Sequence, residues 1–237
     1  MRVAGVLSLA LALATAPAVA QDNTSGDADP NLRRPQIHTI EIEGTQVQYV
    51  VGETAWGNVY GALARLAQLP EENSAAISQQ LWAERDNNPP IFLMEVARRS
   101  VTTNPELAIE AYMLGRVRTI YDISRCLDSS SAGILNIATA YAGEEVEQLL
   151  NDRLETVSSV LETMYSAGTA YTSQASPWWA CSYGTSAYTA ASNGAEMTGP
   201  EWLKVQSRWA TEQSNINANL LSQINLLRAA LAARDAQ

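Results

Sequence analysis

Proline placement constrains the fold of this chain more than any other feature. Residues 89–128 read PPIFLMEVARRSVTTNPELAIEAYMLGRVRTIYDISRCLD. Each proline here stands where a helix would begin, because proline lacks the N–H that a first turn leaves unused. Asn88 is placed to cap one helix, with Pro89 and Pro90 in its opening turn and Phe92, Leu93, Val96 and Ala97 at helical spacing. Near Ser100 that helix should stop. Thr103 or Asn104 then caps a second, with Pro105 at its first position and Glu106 favouring the N-terminal dipole. Leu107, Ala108, Ala111, Leu114, Ile120 and Ile123 form its apolar stripe. Gly115 sits inside this helix at a cost of roughly 1 kcal/mol against alanine, which a close approach of two helices would explain.

The spacing of this hairpin resembles one helical pair of the tetratricopeptide or Sel1-like kind. The resemblance covers about forty residues, and no neighbouring stretch repeats it. An array needs three or more repeats to bury its faces, so no function is carried over.

Charged side chains on the hairpin fall at i,i+3 and i,i+4: Glu95 with Arg98 and Arg99, Arg118 with Asp122, Asp122 with Arg125. Solvated pairs of this sort contribute a few tenths of a kcal/mol each, and that is the expected arrangement. The sharper reading is a partly buried arginine–carboxylate cluster facing a groove, using Glu95, Arg116, Arg118, Tyr121 and Asp122.

The N-terminus, MRVAGVLSLALALATAPAVA, has a basic start, an apolar run and an Ala18-Val19-Ala20 end. Residues 1–20 therefore read as a secretory signal peptide that is cleaved, and the run is too short to span a bilayer. Residues 21–36 are polar and read as a disordered leader. The remainder, 37–237, reads as one helical domain ending in a long C-terminal helix. The expected location is periplasmic or extracellular. In an oxidising compartment Cys126 and Cys181, the only cysteines, should form a disulfide.

A formal charge of −10 argues against nucleic acid and anionic membrane as partners. No apolar run after the leader is long enough to cross a membrane. The single histidine, His38, leaves no set for a zinc site built on two or three histidines, and any serine or cysteine triad would have to use this one residue, in a predicted edge strand. No metal and no cofactor is expected, and no catalytic residue is assigned.

Alternation on either side of Glu43-Gly44-Thr45 predicts a β-hairpin over residues 37–52, with Ile40, Ile42, Val47, Tyr49 and Val51 as packing residues. It either packs on the helices or offers an edge. Thr54 should cap a helix to about Leu69, with Trp56, Val59, Tyr60, Leu63 and Leu66 on one side. Another opens at Asn73 or Ser74 with Ile77, Leu81 and Trp82 as its stripe. Residues 132–141 form a small-residue helix stopped by Gly143. Residues 144–165 read as one amphipathic helix through Val146, Leu149, Leu154, Val157, Leu161 and Met164, its many acids forming a solvated face. Thr198-Gly199-Pro200-Glu201 reads as a capping box opening a helix to the chain end. Trp202, Val205, Trp209, Ile216, Leu220, Ile224, Leu227 and Leu231 form its stripe, and it frays late or breaks near Asn215. That stripe also allows a homo-oligomer through the C-terminal helix.

Trp178 and Trp179 adjoin Cys181. An extended backbone would send them to opposite sides, so one would cover the disulfide and the other would be exposed. With Tyr183 and Tyr188 they read equally as a core plug and as a contact surface.

The fold expectation is thus mainly α: an irregular multi-helix bundle with a short N-terminal β-hairpin and one Cys126–Cys181 disulfide. The functional expectation is an exported, non-enzymatic protein-binding module, such as an adaptor, a chaperone-like factor, or a toxin inhibitor or immunity protein. Two other classes stay open. One is a carboxylate-based cell-wall hydrolase using Glu95, Glu110 and Asp122. The other is a binder of a small anionic ligand held by Arg116 and Arg118 between helices.

Overall fold

In the computed structural model the described residues are 36–42, 45–51, 55–195 and 199–236. The expected signal peptide (1–20), all of the expected leader but Gln36, the Glu43-Gly44 turn, the expected Thr54 cap and Thr198 of the expected capping box lie outside them.

The architecture is mainly helical. Among the described residues there are ten α-helices: α1 (Trp56–Ala67), α2 (Ser74–Ala83), α3 (Phe92–Ser100), α4 (Pro105–Ser124), α5 (Gly133–Ala142), α6 (Glu144–Asp152), α7 (Leu154–Ala167), α8 (Trp178–Cys181), α9 (Thr185–Ser192) and α10 (Trp209–Asp235). Ahead of them, Gln36–Ile42 (β1) and Thr45–Val51 (β2) run antiparallel, with Ile40 opposite Val47.

Helix α4 is the axis of the bundle. Asn104 caps it, its Oδ1 accepting the Leu107 N–H at 3.2 Å, and Pro105 occupies its first position. It is buried along most of its length and packs on α3, α5, α6, α7, α8 and α10. Gly115 is where α3 comes closest. A Cβ there would lie 2.9 Å from Leu93 Cβ and 3.1 Å from Pro90 O. The glycine is therefore a contact requirement, and the tight approach offsets its helix-propensity cost.

Four sequence expectations are corrected. Asn88 does not cap α3. The Phe92 and Leu93 N–H groups bond the Pro89 and Pro90 carbonyls at 3.0 Å each, so the first turn is closed by the backbone. Asn88 instead lies buried, its side-chain amide without a partner.

The single helix expected over 144–165 is two, divided at Arg153 (φ −123°, ψ 43°). The break lets α6 lie against α3, α4 and α5 while α7 runs along α4 and α10. A straight rod could not follow both surfaces.

The last helix begins at Trp209, not after Thr198. Residues 202–204 are drawn to the end of α4 as a short bridge: Leu127 N–H donates to Trp202 O at 3.0 Å and Lys204 N–H to Arg125 O at 2.7 Å. From Trp209 the helix runs unbroken past Asn215, with Ile216, Leu220, Ile224 and Leu227 buried. Trp202 and Val205 precede it, so the inward stripe starts later than expected.

Finally, Trp178 and Trp179 are both inside, 3% and 0% exposed. The backbone there is a helical turn, with Ser176 Oγ accepting the Trp178 N–H at 3.2 Å. Successive residues in a turn lie about 100° apart, not 180°, so neighbours can share an inward face.

Candidate functional site

The paired charges on the hairpin are mostly buried, which overturns the solvated reading. They form three separate groups. In the first, Glu95 is wholly buried. Arg98 Nε donates to it at 2.9 Å, Arg99 Nε at 2.6 Å and the Tyr141 hydroxyl at 2.8 Å. Burial, and then the Glu95 charge, hold the Tyr141 phenol well above its ordinary range. The hydrogen bond to Glu95 likewise raises Arg98 against the burial that opposes it. Arg99 also donates to the Leu66 and Leu69 carbonyls at 2.6 and 3.1 Å, closing the C-terminal end of α1. Removing one partner of such a buried pair costs about 3–5 kcal/mol.

In the second group Arg118 turns away from its sequence neighbour Asp122. Its Nη2 donates to Asp86 Oδ1 at 2.5 Å, Thr172 Oγ1 at 2.7 Å and Thr169 O at 2.8 Å, and its Nη1 to Arg85 O at 2.7 Å. Burial lowers the Arg118 pKa, and Asp86 partly offsets this.

In the third group Asp122 is held by Arg125 and by Trp179 Nε1, the latter donating at 2.6 Å. Burial raises the Asp122 carboxyl, while Arg125 and the indole pull it back down. Arg125 also lies over the rings of Tyr121 and Trp209, 4.2 and 4.7 Å from their centroids.

Arg116 points to a fourth place, reaching Thr139 Oγ1 on α5 at 3.3 Å. Arg116 and Arg118 therefore do not form one anion clamp. Tyr121 is half-buried, edge-on to Tyr171 at 5.0 Å. The disulfide Cys126–Cys181 joins the end of α4 to α8 with Cα atoms 5.2 Å apart.

Above Trp179 the structure assembles a group of rings that the sequence did not single out. Trp56 lies 6.3 Å from Trp179, 5.8 Å from Tyr60 and 5.9 Å from Tyr183, centroid to centroid. Trp56 N–H donates to Ser182 Oγ at 2.6 Å, tying α1 to the turn after α8. Tyr183 lies over Gly133, where a Cβ would meet its ring at 3.1 Å. Tyr60 is 60% exposed. Trp56 and Tyr60 are i,i+4 on a face next to the buried Val59, Leu63 and Leu66, and that offset was the only local sign that Trp56 lies at the edge of the core and Tyr60 outside it. Of the residues expected at a contact surface, Tyr183 belongs to this group. Trp178 and Trp179 lie beneath the surface.

A concavity about 440 Å³ in volume lies between α4 and α7 and is closed at one end by the turn after α2 and by residues 169–172. Arg118 forms its floor there, and Glu110 stands at the other end of the α4 wall.

These features define the class: a mainly α domain built around one buried helix, stapled by a disulfide, with buried ion pairs as internal struts. Compared with protein-family models, characterised proteins and solved structures, the chain matches none. No helix among the described residues is long and apolar enough to cross a membrane. No group of three His, Cys, Asp or Glu residues in them is placed to hold a metal ion.

Proposed function

We propose that this chain is an exported, non-enzymatic protein-binding module, in the manner of an adaptor, a chaperone-like factor or a toxin inhibitor. The observation that carries the reading is the convergence of Trp56, Tyr60 and Tyr183 from two distant segments into one aromatic patch. Aromatic rings dominate binding hot spots because they bury much area with few rotatable bonds. This patch is rigidly backed, since Trp56 rests on Trp179 and Trp179 is anchored to Asp122. Export to a periplasmic or extracellular compartment agrees with the leader pattern of residues 1–20 and with a disulfide that needs oxidising surroundings.

The β-hairpin belongs to the same proposal as a packed element rather than a binding edge. Arg65 Nη2 donates to Gln48 O at 2.9 Å and Gln80 Nε2 to Thr39 O at 3.1 Å, which ties both strands to the helices. Self-association through α10 remains a second surface. Residues 213–227 carry no charge, and Leu226 is 66% exposed there. The hydrolase alternative has less support, because Glu95 and Asp122 already spend their oxygens on arginine, tyrosine and indole donors.

The test is affinity capture with the oxidised protein as bait, read by mass spectrometry. Tyr60→Ser removes an exposed ring without opening the core. Tyr165→Ser, on α7, is the matched control. The expected outcome is a stoichiometric partner lost with Tyr60→Ser, by about tenfold or more in affinity, and kept with Tyr165→Ser. A partner kept by both variants would move the surface elsewhere, and no partner at all would remove the reading.

A further inference from the structure

The concavity between α4 and α7 is a groove with a polarity, and it goes beyond the aromatic patch. Glu110, Leu114 and Arg118 are i, i+4 and i+8 on α4, so they lie along one ridge about 12 Å long. Facing them, α7 contributes Val160 and Met164 opposite the apolar middle, with the exposed Ser159 and Thr163 at the lip.

The two ends differ in charge. Glu110 is exposed, and no ion pair or hydrogen bond engages its carboxylate. At the other end the lining holds Arg85 and Arg118 with a single carboxylate, Asp86, which pairs with Arg118, so that end carries one net positive charge; the Arg85 guanidinium lies over the Trp82 ring. Arg118 is 1% exposed. Its terminal nitrogens are all engaged, but its Nε is buried with no acceptor. An orphaned buried donor costs about 1–3 kcal/mol, and an oxygen entering the groove would relieve it. Thr169 and Thr172 line the same end, the Thr172 hydroxyl 2.7 Å from the neighbouring Arg118 Nη2.

We infer that this groove binds a short peptide of about three residues with both termini free. An extended tripeptide spans roughly 10 Å, close to the length of the ridge. The ammonium sits against Glu110 and a central apolar side chain rests on Leu114, Val160 and Met164. The terminal carboxylate or last carbonyl accepts from Arg118 Nε at the end that Arg85 also lines. A simple anion would satisfy only the closed end, so the expectation of an anionic ligand held by Arg116 and Arg118 is replaced by a zwitterion.

The probe is the tripeptide alanyl-leucyl-alanine, with its N-acetylated and C-amidated forms as comparators. Binding is read by calorimetry and by the shift in Tm of the oxidised full chain. The free peptide is expected to bind and raise Tm. Acetylation should weaken binding about fivefold, the scale of a lost exposed ion pair. Glu110→Gln should weaken the free peptide equally and erase the difference between free and acetylated forms. Thr163→Trp, at an exposed lip position, should fill the groove and abolish binding with the ligand-free Tm unchanged. Tyr60→Ser should bind the peptide as the unaltered chain does, which separates this site from the aromatic patch. No binding at millimolar peptide would overturn the inference. So would binding that survives Thr163→Trp, or a preference for the free amine that persists in Glu110→Gln.

Discussion

Two glycines inside helices, Gly61 in α1 and Gly115 in α4, should respond to the same substitution with opposite signs. Intrinsic propensity favours alanine over glycine by about 1 kcal/mol in a helix interior. At Gly61 the added Cβ meets only the end of Arg65, at 3.5 Å, an ordinary contact with a mobile atom. The propensity gain survives there, and Gly61→Ala should stabilise by about 0.5–1 kcal/mol. At Gly115 the Cβ arrives 2.9 Å from Leu93 Cβ, 3.1 Å from Pro90 O and 3.2 Å from Met94 Cε. Met94 can turn aside. Leu93 Cβ and Pro90 O cannot, because one is fixed to the α3 backbone and the other belongs to the backbone of the turn that leads into it. Overpacking a core costs about 1–3 kcal/mol, so Gly115→Ala should come out destabilised by about 0–2 kcal/mol. The difference between the two variants is then about 1–3 kcal/mol, which in a chain of this size corresponds to Tm values separated by roughly 2–12 °C. Urea unfolding and thermal melts of both oxidised variants measure it directly. If Gly115→Ala gains as much as Gly61→Ala, then α3 and α4 are not in close contact at this point and the account of the central pair fails.

Two further outcomes follow from the disulfide and from a buried phenol. Cys126→Ser opens a loop of 55 residues, for which chain entropy gives about 4 kcal/mol. Its Tm under oxidising conditions should fall by roughly 8–16 °C, and an unchanged Tm would show that the bridge does not staple the fold. Burial, with Tyr121 adding to it, pushes the Tyr171 hydroxyl up to about 12 from 10.0. Between those values the native state holds a proton that the unfolded chain has lost, so stability should decline as pH rises from about 10 to 12. Tyr171→Phe should remove that part of the slope, and denaturant midpoints across the range that decline equally in both proteins would contradict the assignment.

Much of this protein was decided by interactions within four residues along the chain. Asn104 with Pro105 started α4, Gly143 ended α5, and the spacing of Ile216, Leu220, Ile224 and Leu227 set the inward face of α10. Glu95, Arg98 and Arg99 were bound to meet, because a helix places i+3 and i+4 together. Two cysteines were enough to expect the staple. Local pattern could not settle what lies across the fold. Arg118 had Asp122 within reach on its own helix but took Asp86, thirty-two positions earlier, because α4 presents its guanidinium to the turn after α2. The helix expected from 144 broke at Arg153 to follow two different surfaces. Residues 202–204 left their helix to pair with the end of α4. Trp178 and Trp179 both went inward once their backbone became a turn. The aromatic patch and the groove are completed only by tertiary structure, since each sets a helical i,i+4 row against a segment distant in the chain. Their shapes are set by long-range packing, where the gain from burying area outweighs local preference.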